Sequence, residues 1–479
     1  MEKYDNLLID FYELTMGQGY VNTKVDGNIA YFDLFFRKVP DGGSFVIANG
    51  VKKCLEYLLQ FHFTDSDIEY LKSLNQFTDE YIEKLKKVKF TGDMWAVEDG
   101  TVVFPNEPLI TIKSNLLEAQ LVETALLLYF NRASLITTKA SRIVRAAKGR
   151  PVMEFGTRRA QGYEAAVDGA LDTYIAGAVG TACTTTGKKY GVPILGTMAH
   201  SFVQSYDSEY EAFKAYAKSF PNACTLLVDT YDTLNSGIPN AIKVNNEVLK
   251  PMGKTLKGIR IDSGDLSYLS KQARKILNDA GLQDTKIVIS NSLDEYTIES
   301  LLSQDAPIDS FGVGENMITA KSSPVFGGVY KLVAIEKDGT IVPKIKISDN
   351  IEKITNPHFK KIYRLFDKTN GKFITDIISV YDEQAPKGKL VLIHPENNWT
   401  KKEIENYKVV DLKVKMIENG KQIYTIPTVE QTKKNVQDNL NTLWEEALRL
   451  QNPHIYTINL SDKLKKIKID LLEEHNRSL

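Results

Sequence analysis

The residues of this chain best suited to chemistry are polar ones that follow short apolar runs between about residues 150 and 320. In chain order they are Arg158 and Arg159 in EFGTRR, Thr197 and His200 in GTMAH, Asp229 and Asp232 in VDTYD, Arg260 and Asp262 in GIRIDSGD, Ser290 and Asn291 in ISNS, and Gly312 and Gly314 in FGVGEN. Arginines, hydroxyls and backbone N–H groups of tight turns bind phosphate. The set therefore indicates an enzyme site for a phosphorylated small molecule.

The apolar runs predict the strands that position these side chains. They are PVMEF, VPILG, TLLV, LKGIRI, KIVIS and IDSFGV, with a weaker run in DTYIAG. Helical patterns such as LSYLSKQARKILNDAG separate them, which is typical of repeated βα units and a parallel sheet. An open doubly wound sheet and a closed barrel both fit this alternation, and both place the active site at the C-terminal ends of the strands.

His200 and Asp229 follow consecutive predicted strands, so an imidazole and a carboxylate are expected at the same end of the sheet. A carboxylate that accepts the proton of one ring nitrogen fixes the tautomer and makes the other nitrogen a better nucleophile or base. The alternative is a structural histidine. The position after a strand ending in Gly-Thr favours the functional interpretation.

Two aspartates in IRIDSGD, Asp262 and Asp265, suit either a ribose diol or a magnesium ion held by oxygen ligands. The alternative is helix capping by Asp262 or Ser263. Arg260, in the same strand, is expected to meet a phosphate. IDSFGVGENMI does not match the dinucleotide fingerprint, and no Walker lysine motif occurs in the sequence.

The length of 479 residues exceeds what one hydrophobic core usually supports, so several packed units are expected. Residues 1–135 mix helical and strand-like patterns and predict an α+β segment. Residues 136–335 predict the α/β catalytic domain. Residues 336–479 are lysine-rich and strand-like before a helical stretch, and they predict a segment that packs back on the first.

Composition excludes several classes of function. Lys and Arg (60) nearly equal Asp and Glu (61), so no overall field would hold a nucleic acid. Three cysteines without a CxxC pair argue against a disulfide framework or zinc knuckle and favour the cytoplasm. The N-terminal sequence lacks the apolar core of a secretory signal, and the apolar stretch 116–130 is too short to span a membrane.

With these residues in view, the sequence resembles the nicotinate phosphoribosyltransferases, which transfer phosphoribose from phosphoribosyl pyrophosphate to nicotinic acid in NAD salvage. Segments in the family's order cover most of the chain: DFYELTM, FDLFFRKVP, EFGTRRAQG, VPILGTMAHSF, LLVDTYDTLNSGIPNAI, GIRIDSGDL, ISNSLDE, FGVGENM and FGGVYKLVAI. The resemblance implies a type II phosphoribosyltransferase fold. This is an irregular α/β barrel plus an α+β domain formed from the N- and C-terminal segments, assembled as a homodimer with shared active sites.

The resemblance also implies the reaction and its site residues. Nicotinate, phosphoribosyl pyrophosphate, ATP and water would give nicotinate mononucleotide, pyrophosphate, ADP and phosphate. ATP, as co-substrate, would transiently phosphorylate His200, which Asp229 hydrogen-bonds, and Mg²⁺ would lie near Asp262 through the pyrophosphate. The implied substrate contacts are Tyr12 across the dimer interface, Arg158 on nicotinate, Thr197 beside the base, Arg260 and Asp262 on phosphoribosyl pyrophosphate, and Ser290, Asn291, Gly312 and Gly314 around the 5′-phosphate.

Two positions depart from the family pattern. Where many members read GTSN this chain has GTACT, and related nicotinamide enzymes carry an aspartate where Ala182 stands here. Absence of that carboxylate favours the acid over the amide. Glu315 stands where relatives often have threonine, an acid beside a phosphate that the family pattern does not explain. The alternatives are a nicotinamide phosphoribosyltransferase on the same fold and a non-catalytic sugar-phosphate sensor.

Overall fold

The computed structural model describes residues 4–348, 350, 353–393, 399 and 401–477, which form two compact units. Unit 1 comprises Met1–Leu135 and Val325–Leu479, and unit 2 comprises Ile136–Pro324. The sequence-based boundaries are 135 and 335, whereas the second boundary of the structure is at 324. The difference arises because the strand Gly328–Lys337 pairs antiparallel with the strand Ile29–Phe36 of unit 1.

Unit 1 is an α+β unit whose strands come from both ends of the chain. Numbered in chain order, its strands are β1 (Ile29–Phe36), β2 (Val46–Ile47), β3 (Asp93–Ala96), β4 (Val102–Val103), β5 (Ile110–Asn115), β12 (Gly328–Lys337), β13 (Thr340–Pro343), β14 (Lys360–Asp367), β15 (Phe373–Val380), β16 (Leu390–Ile393), β17 (Lys401–Ile404), β18 (Tyr407–Asp411), β19 (Val414–Glu418), β20 (Lys421–Gln422) and β21 (Asn459–Leu460). Seven of them form one sheet in the order β13-β12-β1-β5-β3-β19-β20, and four form another in the order β18-β14-β15-β21.

Several helices of unit 1 begin at residues whose side chains accept hydrogen bonds from free backbone N–H groups. Thr64 and Thr428 each form a capping box, with Asp67 and Gln431 respectively. The helices are α1 (Phe11–Asn22), α2 (Val51–Gln60), α3 (Asp65–Ser73), α4 (Asp79–Leu85), α5 (Leu116–Leu121), α15 (Val429–Thr442), α16 (Glu445–Leu448) and α17 (Asp462–Arg477), and α6 (Glu123–Ala146) leads into unit 2. In the part of the chain that the structure describes, no helix combines the length and the apolar character needed to cross a bilayer.

Unit 2 is built on parallel strands with helices between them, as the alternating pattern predicts. Its strands are β6 (Val152–Glu154), β7 (Gly180–Thr181), β8 (Thr225–Leu227), β9 (Gly258–Ile261), β10 (Lys286–Ser290) and β11 (Ser310–Val313). Its helices are α7 (Tyr163–Ile175), α8 (Thr184–Tyr190), α9 (His200–Gln204), α10 (Glu209–Ser219), α11 (Ile238–Val244), α12 (Leu266–Asp279), α13 (Glu295–Ser303) and α14 (Glu315–Ile318).

The sheet of unit 2 curls strongly. Its strand order is β7-β6-β11-β10-β9-β8, and a parallel bridge from Thr181 to Ile194 extends the row beyond β7. The guanidinium of Arg260, on β9, nevertheless donates to the Thr197 hydroxyl at 2.6 Å and to the Met198 carbonyl at 2.9 Å. Because β7, β6, β11 and β10 separate these segments in the sheet order, the sheet must bend round on itself as in a barrel.

Candidate active site

A cleft of about 550 Å³ lies at the C-terminal ends of the parallel strands of unit 2. The predicted residues that line it are Arg158, Thr197, His200, Arg260, Asp262, Ser290, Asn291, Gly312 and Gly314. Each lies near the C-terminal end of a strand or in the loop that follows it. Since the carboxyl ends of parallel strands share one edge, the fold itself brings these distant segments together.

The buried carboxylate of Glu154, at the end of β6, ties two of the loops around the cleft. It accepts hydrogen bonds from the Gly156 backbone N–H and from the Thr181 hydroxyl. Thr181 in turn accepts from the Cys183 backbone N–H at 2.8 Å. This network holds the loop after β6 beside the loop after β7, and burial raises the pKa of Glu154.

Arg158 is the cationic side chain of the cleft that remains available for a ligand. It is exposed, and among the residues that the structure describes it has no hydrogen-bond or ion-pair partner. Phe155 and Ala182 line the same cleft and contribute an aromatic ring and a methyl group. An aspartate at the position of Ala182 would repel an acidic substrate. A free guanidinium beside apolar groups suits a planar carboxylate.

Arg260 is a positioning group as well as a charge. Its two hydrogen bonds hold the segment that carries Thr197 and Met198 against β9. Burial lowers the pKa of Arg260, the carboxylates of Asp262 and Asp229 oppose that shift, and Arg158 adds to it. Two arginines close enough to repel each other create a site that an anion stabilises.

The expected hydrogen bond between His200 and Asp229 is absent from the structure, so that prediction is wrong. His200 Nδ1 lies 3.1 Å from the Thr230 hydroxyl oxygen, and its Nε2 lies 3.9 Å from a carboxylate oxygen of Asp262. Asp229 accepts instead from the Asp262 backbone N–H at 2.9 Å and from the Ser263 hydroxyl at 2.6 Å. Both donors bond the same carboxylate oxygen of Asp229, and among the described residues its other oxygen is buried without a hydrogen-bond partner.

Asp262 projects into the cleft and does not cap a helix. Its carboxylate accepts from the Ser290 hydroxyl at 2.5 Å, and its side chain is 38% exposed. Asp265 is the residue that caps α12, accepting from the Tyr268 backbone N–H at 3.0 Å. Asp232 caps the short helical segment Thr233–Gly237 in the same manner.

The loop after β10 holds its backbone in a costly conformation. Asn291 and Ser292 have φ values of 101° and 48°, in the left-handed region that non-glycine residues rarely adopt. The Asn316 side-chain amide donates to the Ser292 carbonyl at 2.9 Å and so holds this loop in place. Backbone strain maintained by surrounding contacts is concentrated at ligand-binding sites.

Gly312 is required for close packing at the same end of the cleft. A Cβ at this position would lie 2.5 Å from two ring carbons of Phe155. The ring therefore packs on the bare backbone of β11, where only glycine leaves enough room.

A magnesium ion fits this cleft only if the substrate supplies most of its ligands. Among the described residues, no group of three or more histidine, cysteine or acidic side chains is placed to hold a metal. Asp262 offers one partly exposed carboxylate beside a hydroxyl. Magnesium at phosphate sites is typically held by one or two carboxylates together with substrate phosphates and water, which agrees with this arrangement.

Comparison with known proteins identifies the family. The family models for the nicotinate phosphoribosyltransferase N-terminal domain, the nicotinate phosphoribosyltransferase family and the C-terminal domain match residues 7–131, 151–371 and 359–468. The nicotinate phosphoribosyltransferase of Bacillus subtilis is 43% identical over 472 residues, covering 98% of this chain and 95% of that protein. This chain belongs to the nicotinate phosphoribosyltransferase family.

The match extends to distant members of the nicotinate phosphoribosyltransferase family. The Caenorhabditis elegans protein of that name is 35% identical over 522 residues, covering 96% of this chain and 92% of the relative. The crystal structure of human nicotinic acid phosphoribosyltransferase aligns with a TM-score of 0.86 at 28% identity, covering 97% of this chain and all of that one. The predicted fold class, an irregular α/β barrel with a second α+β domain, is confirmed by this alignment.

Several residues of the site were not predicted from the sequence. Thr230 contacts His200, and Phe155, Ser292, Asn316 and Lys321 line the cleft. Asn316 and Lys321 lie further along the chain from β11 than the residues directly after a strand, to which the prediction was limited. Tyr12, the remaining predicted residue, lies on α1 of unit 1 and is 45% exposed.

Proposed function

We propose that this chain is a nicotinate phosphoribosyltransferase that couples synthesis of nicotinate mononucleotide to ATP hydrolysis. The observation that supports the proposal most is Arg158, which has no partner among the described residues, in a cleft that Ala182 also lines and that offers Arg260, hydroxyls and strained backbone for phosphates. The Arg158 guanidinium suits a carboxylate, and the hydroxyls and the loops after β10 and β11 suit phosphate groups.

The nicotinate carboxylate pairs with Arg158, and its pyridine ring lies against Phe155. A guanidinium binds a carboxylate with two parallel hydrogen bonds, which orients the ring as well as holding it. Nicotinamide forms neither the ion pair nor the two-acceptor contact. Ala182 supplies no acceptor for the amide N–H₂ group. Selectivity for the acid follows from both features.

The donor phosphates bind the loops after β10 and β11. Ser290, Asn291, Gly312 and Gly314 surround the 5′-phosphate with hydroxyl, amide and backbone N–H groups. Arg260 balances the charge of the pyrophosphate. Asp262 would accept from the ribose hydroxyls or hold a magnesium ion, which would neutralise charge on the leaving group.

In the transfer step the bond between the anomeric carbon and the pyrophosphate oxygen breaks, and a bond from that carbon to the pyridine nitrogen forms. The electron pair of the broken bond leaves with pyrophosphate. Positive character grows at the sugar, so the groups that matter are those that place the pyridine nitrogen in line and stabilise the departing charge. No side-chain nucleophile on the sugar is needed.

His200 serves the ATP-coupled step. A proton on Nδ1 directed at Thr230 leaves the Nε2 lone pair facing the side of the cleft where Asp262 lies. Nε2 accepts the γ-phosphoryl group as the bond to the ADP oxygen breaks, and water later cleaves the phosphohistidine to phosphate. Energy released in this hydrolysis drives the overall reaction towards the mononucleotide.

Tyr12 of the partner subunit completes each site in a homodimer. Phe11, Tyr12 and Met16 on α1 are all more than a third exposed, which supports coverage of this helix by a second copy. Light scattering should give a dimer. Mixing equal amounts of Tyr12→Ala and Arg158→Gln subunits should restore about a quarter of the wild-type activity. About half of the dimers are then mixed, and one of the two sites in each mixed dimer is intact. A monomer, or no restoration, would overturn the shared site.

The ATP-coupled assignment is tested by product analysis with the His200→Ala variant. The wild-type protein should form nicotinate mononucleotide and pyrophosphate, consume ATP and carry an acid-labile phosphate. His200→Ala should lose ATP consumption and the phosphoenzyme while retaining slow nucleotide synthesis. His62→Ala, a change in unit 1, is the matched control and should behave as wild type. ATP consumption by His200→Ala would show that the histidine is wrongly assigned.

A further inference from the structure

Glu315 is an acidic side chain that the reaction does not use, in the part of the cleft proposed to bind the 5′-phosphate. It directly follows Gly314, lines the cleft and is 40% exposed. Asp262 is the other carboxylate among the described lining residues. An anion beside a dianionic phosphate opposes binding, so Glu315 needs a separate explanation.

Glu315 holds two cations that also line the cleft. Its carboxylate accepts from the Lys321 ammonium at 2.7 Å and lies 3.7 Å from the guanidinium of Arg159. Both cationic side chains are more exposed than the carboxylate, at 63% and 59%. Among the described residues Glu315 is the ion-pair partner of each. The hydrogen bond from Lys321 lowers the pKa of Glu315, which is therefore ionised at neutral pH.

The backbone around Glu315 is fixed whereas the side chains of the two cations are not. The Thr319 hydroxyl donates to the Glu315 carbonyl at 2.7 Å, and the adjacent Asn316 is tied to the Ser292 loop. Lys321 carries a point charge on a long, exposed stem, so its ammonium can exchange one oxygen acceptor for another without repacking. The carboxylate stays in this part of the cleft whichever acceptor the lysine uses.

We propose that Glu315 competes with the 5′-phosphate for Lys321 and Arg159. Its carboxylate holds both cations in the free cleft and releases them to a bound phosphomonoester. Lys321 and Arg159 are then additional phosphate-binding residues, and Glu315 limits how tightly phosphorylated ligands are retained. The ligand class rests on the proposed function. The consequence is faster release of the phosphorylated product than a cleft without this acid would allow.

The test is binding of ribose 5-phosphate, measured by calorimetry with no pyridine base and no ATP present. Glu315→Gln should bind it about tenfold more tightly than wild type, because Lys321 no longer has to break an ion pair with a carboxylate before it reaches the phosphate. Lys321→Met should bind it more weakly. In the Lys321→Met background, the gain from Glu315→Gln should shrink to less than about threefold, since the two residues are coupled.

Two controls keep the outcome clear. Glu211→Gln removes the carboxylate of another exposed ion pair of unit 2, with Lys214 at 3.2 Å, and should leave binding unchanged. Thermal unfolding of each variant should match wild type, because these pairs are solvent-exposed. Unchanged or weaker binding by Glu315→Gln, with normal folding, would overturn the proposal. The binding measurement involves no turnover, so it tests the role of Glu315 even if the protein is inactive on nicotinate. Failure of this proposal can therefore be distinguished from failure of the proposed function.

Discussion

Replacing Arg158 by glutamine tests how the pyridine substrate is recognised. The guanidinium lines the cleft and has no partner among the described residues, so its loss removes a ligand contact and no internal one. Hydrogen bonds to charged groups contribute about 1.5–3 kcal/mol. At about 1.4 kcal/mol for each factor of ten, kcat/KM for nicotinate should fall by about 10- to 150-fold.

The assay is the initial rate of pyrophosphate release over a range of nicotinate concentrations at saturating phosphoribosyl pyrophosphate. KM for the donor should change by no more than about twofold if, as proposed, Arg158 binds the pyridine substrate and Arg260 the donor. Arg158→Lys should give an intermediate loss, because it keeps the charge but not the planar fork of donors. Thermal stability should be unchanged.

Nicotinamide provides the comparison that can refute this reasoning. Its neutral amide makes no ion pair with Arg158, so the rate with nicotinamide should fall by much less than the rate with nicotinate. Equal losses for the two bases would mean that Arg158 serves the donor or the shape of the cleft. An unaltered rate with nicotinate would remove Arg158 from substrate recognition altogether.

Three further changes have defined outcomes. Gly312→Ala places a methyl group 2.5 Å from the ring of Phe155 and should raise KM for the donor and cost about 1–3 kcal/mol in urea unfolding. Burial raises the pKa of Glu13 to about 7, so its stabilising contribution is complete below the unfolded pKa near 4.5 and is lost as pH rises through 7. Glu13→Gln should therefore unfold at higher temperature than wild type at pH 8 and not at pH 4. Arg364→Met should cost about 3–5 kcal/mol in urea unfolding, because Arg364 and Asp376 are fully buried and joined at 2.6 Å.

Each of these changes has a control or an opposite result that would contradict it. Gly196 also lines the cleft, but a Cβ there would have no atom within 4 Å, so Gly196→Ala should be tolerated. Equal effects of the two glycine changes would exclude the steric argument. A stability gain by Glu13→Gln that is the same at both pH values would exclude titration as its cause. A loss below 1 kcal/mol for Arg364→Met would show that its buried pair is replaceable.

The sequence predicted which residues share the cleft because the parallel fold converts spacing into proximity. Short apolar runs mark strand ends, and residues just past them must share one edge of the sheet. What spacing does not contain is the direction of each side chain. Asp229 was expected on His200, but the donors that orient it are the Asp262 amide and the Ser263 hydroxyl. Only the folded loop after β9 brings those donors to the carboxylate.

The remaining differences arise from contacts between segments far apart in sequence. The strand Gly328–Lys337 has an apolar pattern like that of the strands of unit 2. It nevertheless pairs with β1 and belongs to unit 1. Lys321 follows the turn after β11 by several residues and reaches the cleft because the segment between them folds back. Neither placement is encoded in a local period, since each depends on a partner strand or loop elsewhere in the chain.

Competition between the two pyridine bases is the most direct measurement of the proposed function. The purified protein is given nicotinate and nicotinamide at equal concentration with limiting phosphoribosyl pyrophosphate, ATP and Mg²⁺, and the two mononucleotides are separated and quantified. Nicotinate mononucleotide should dominate by at least about tenfold, the value of one charge-assisted contact. A product dominated by nicotinamide mononucleotide would contradict the assignment of Arg158 and Ala182, and formation of neither would contradict the enzymatic function itself.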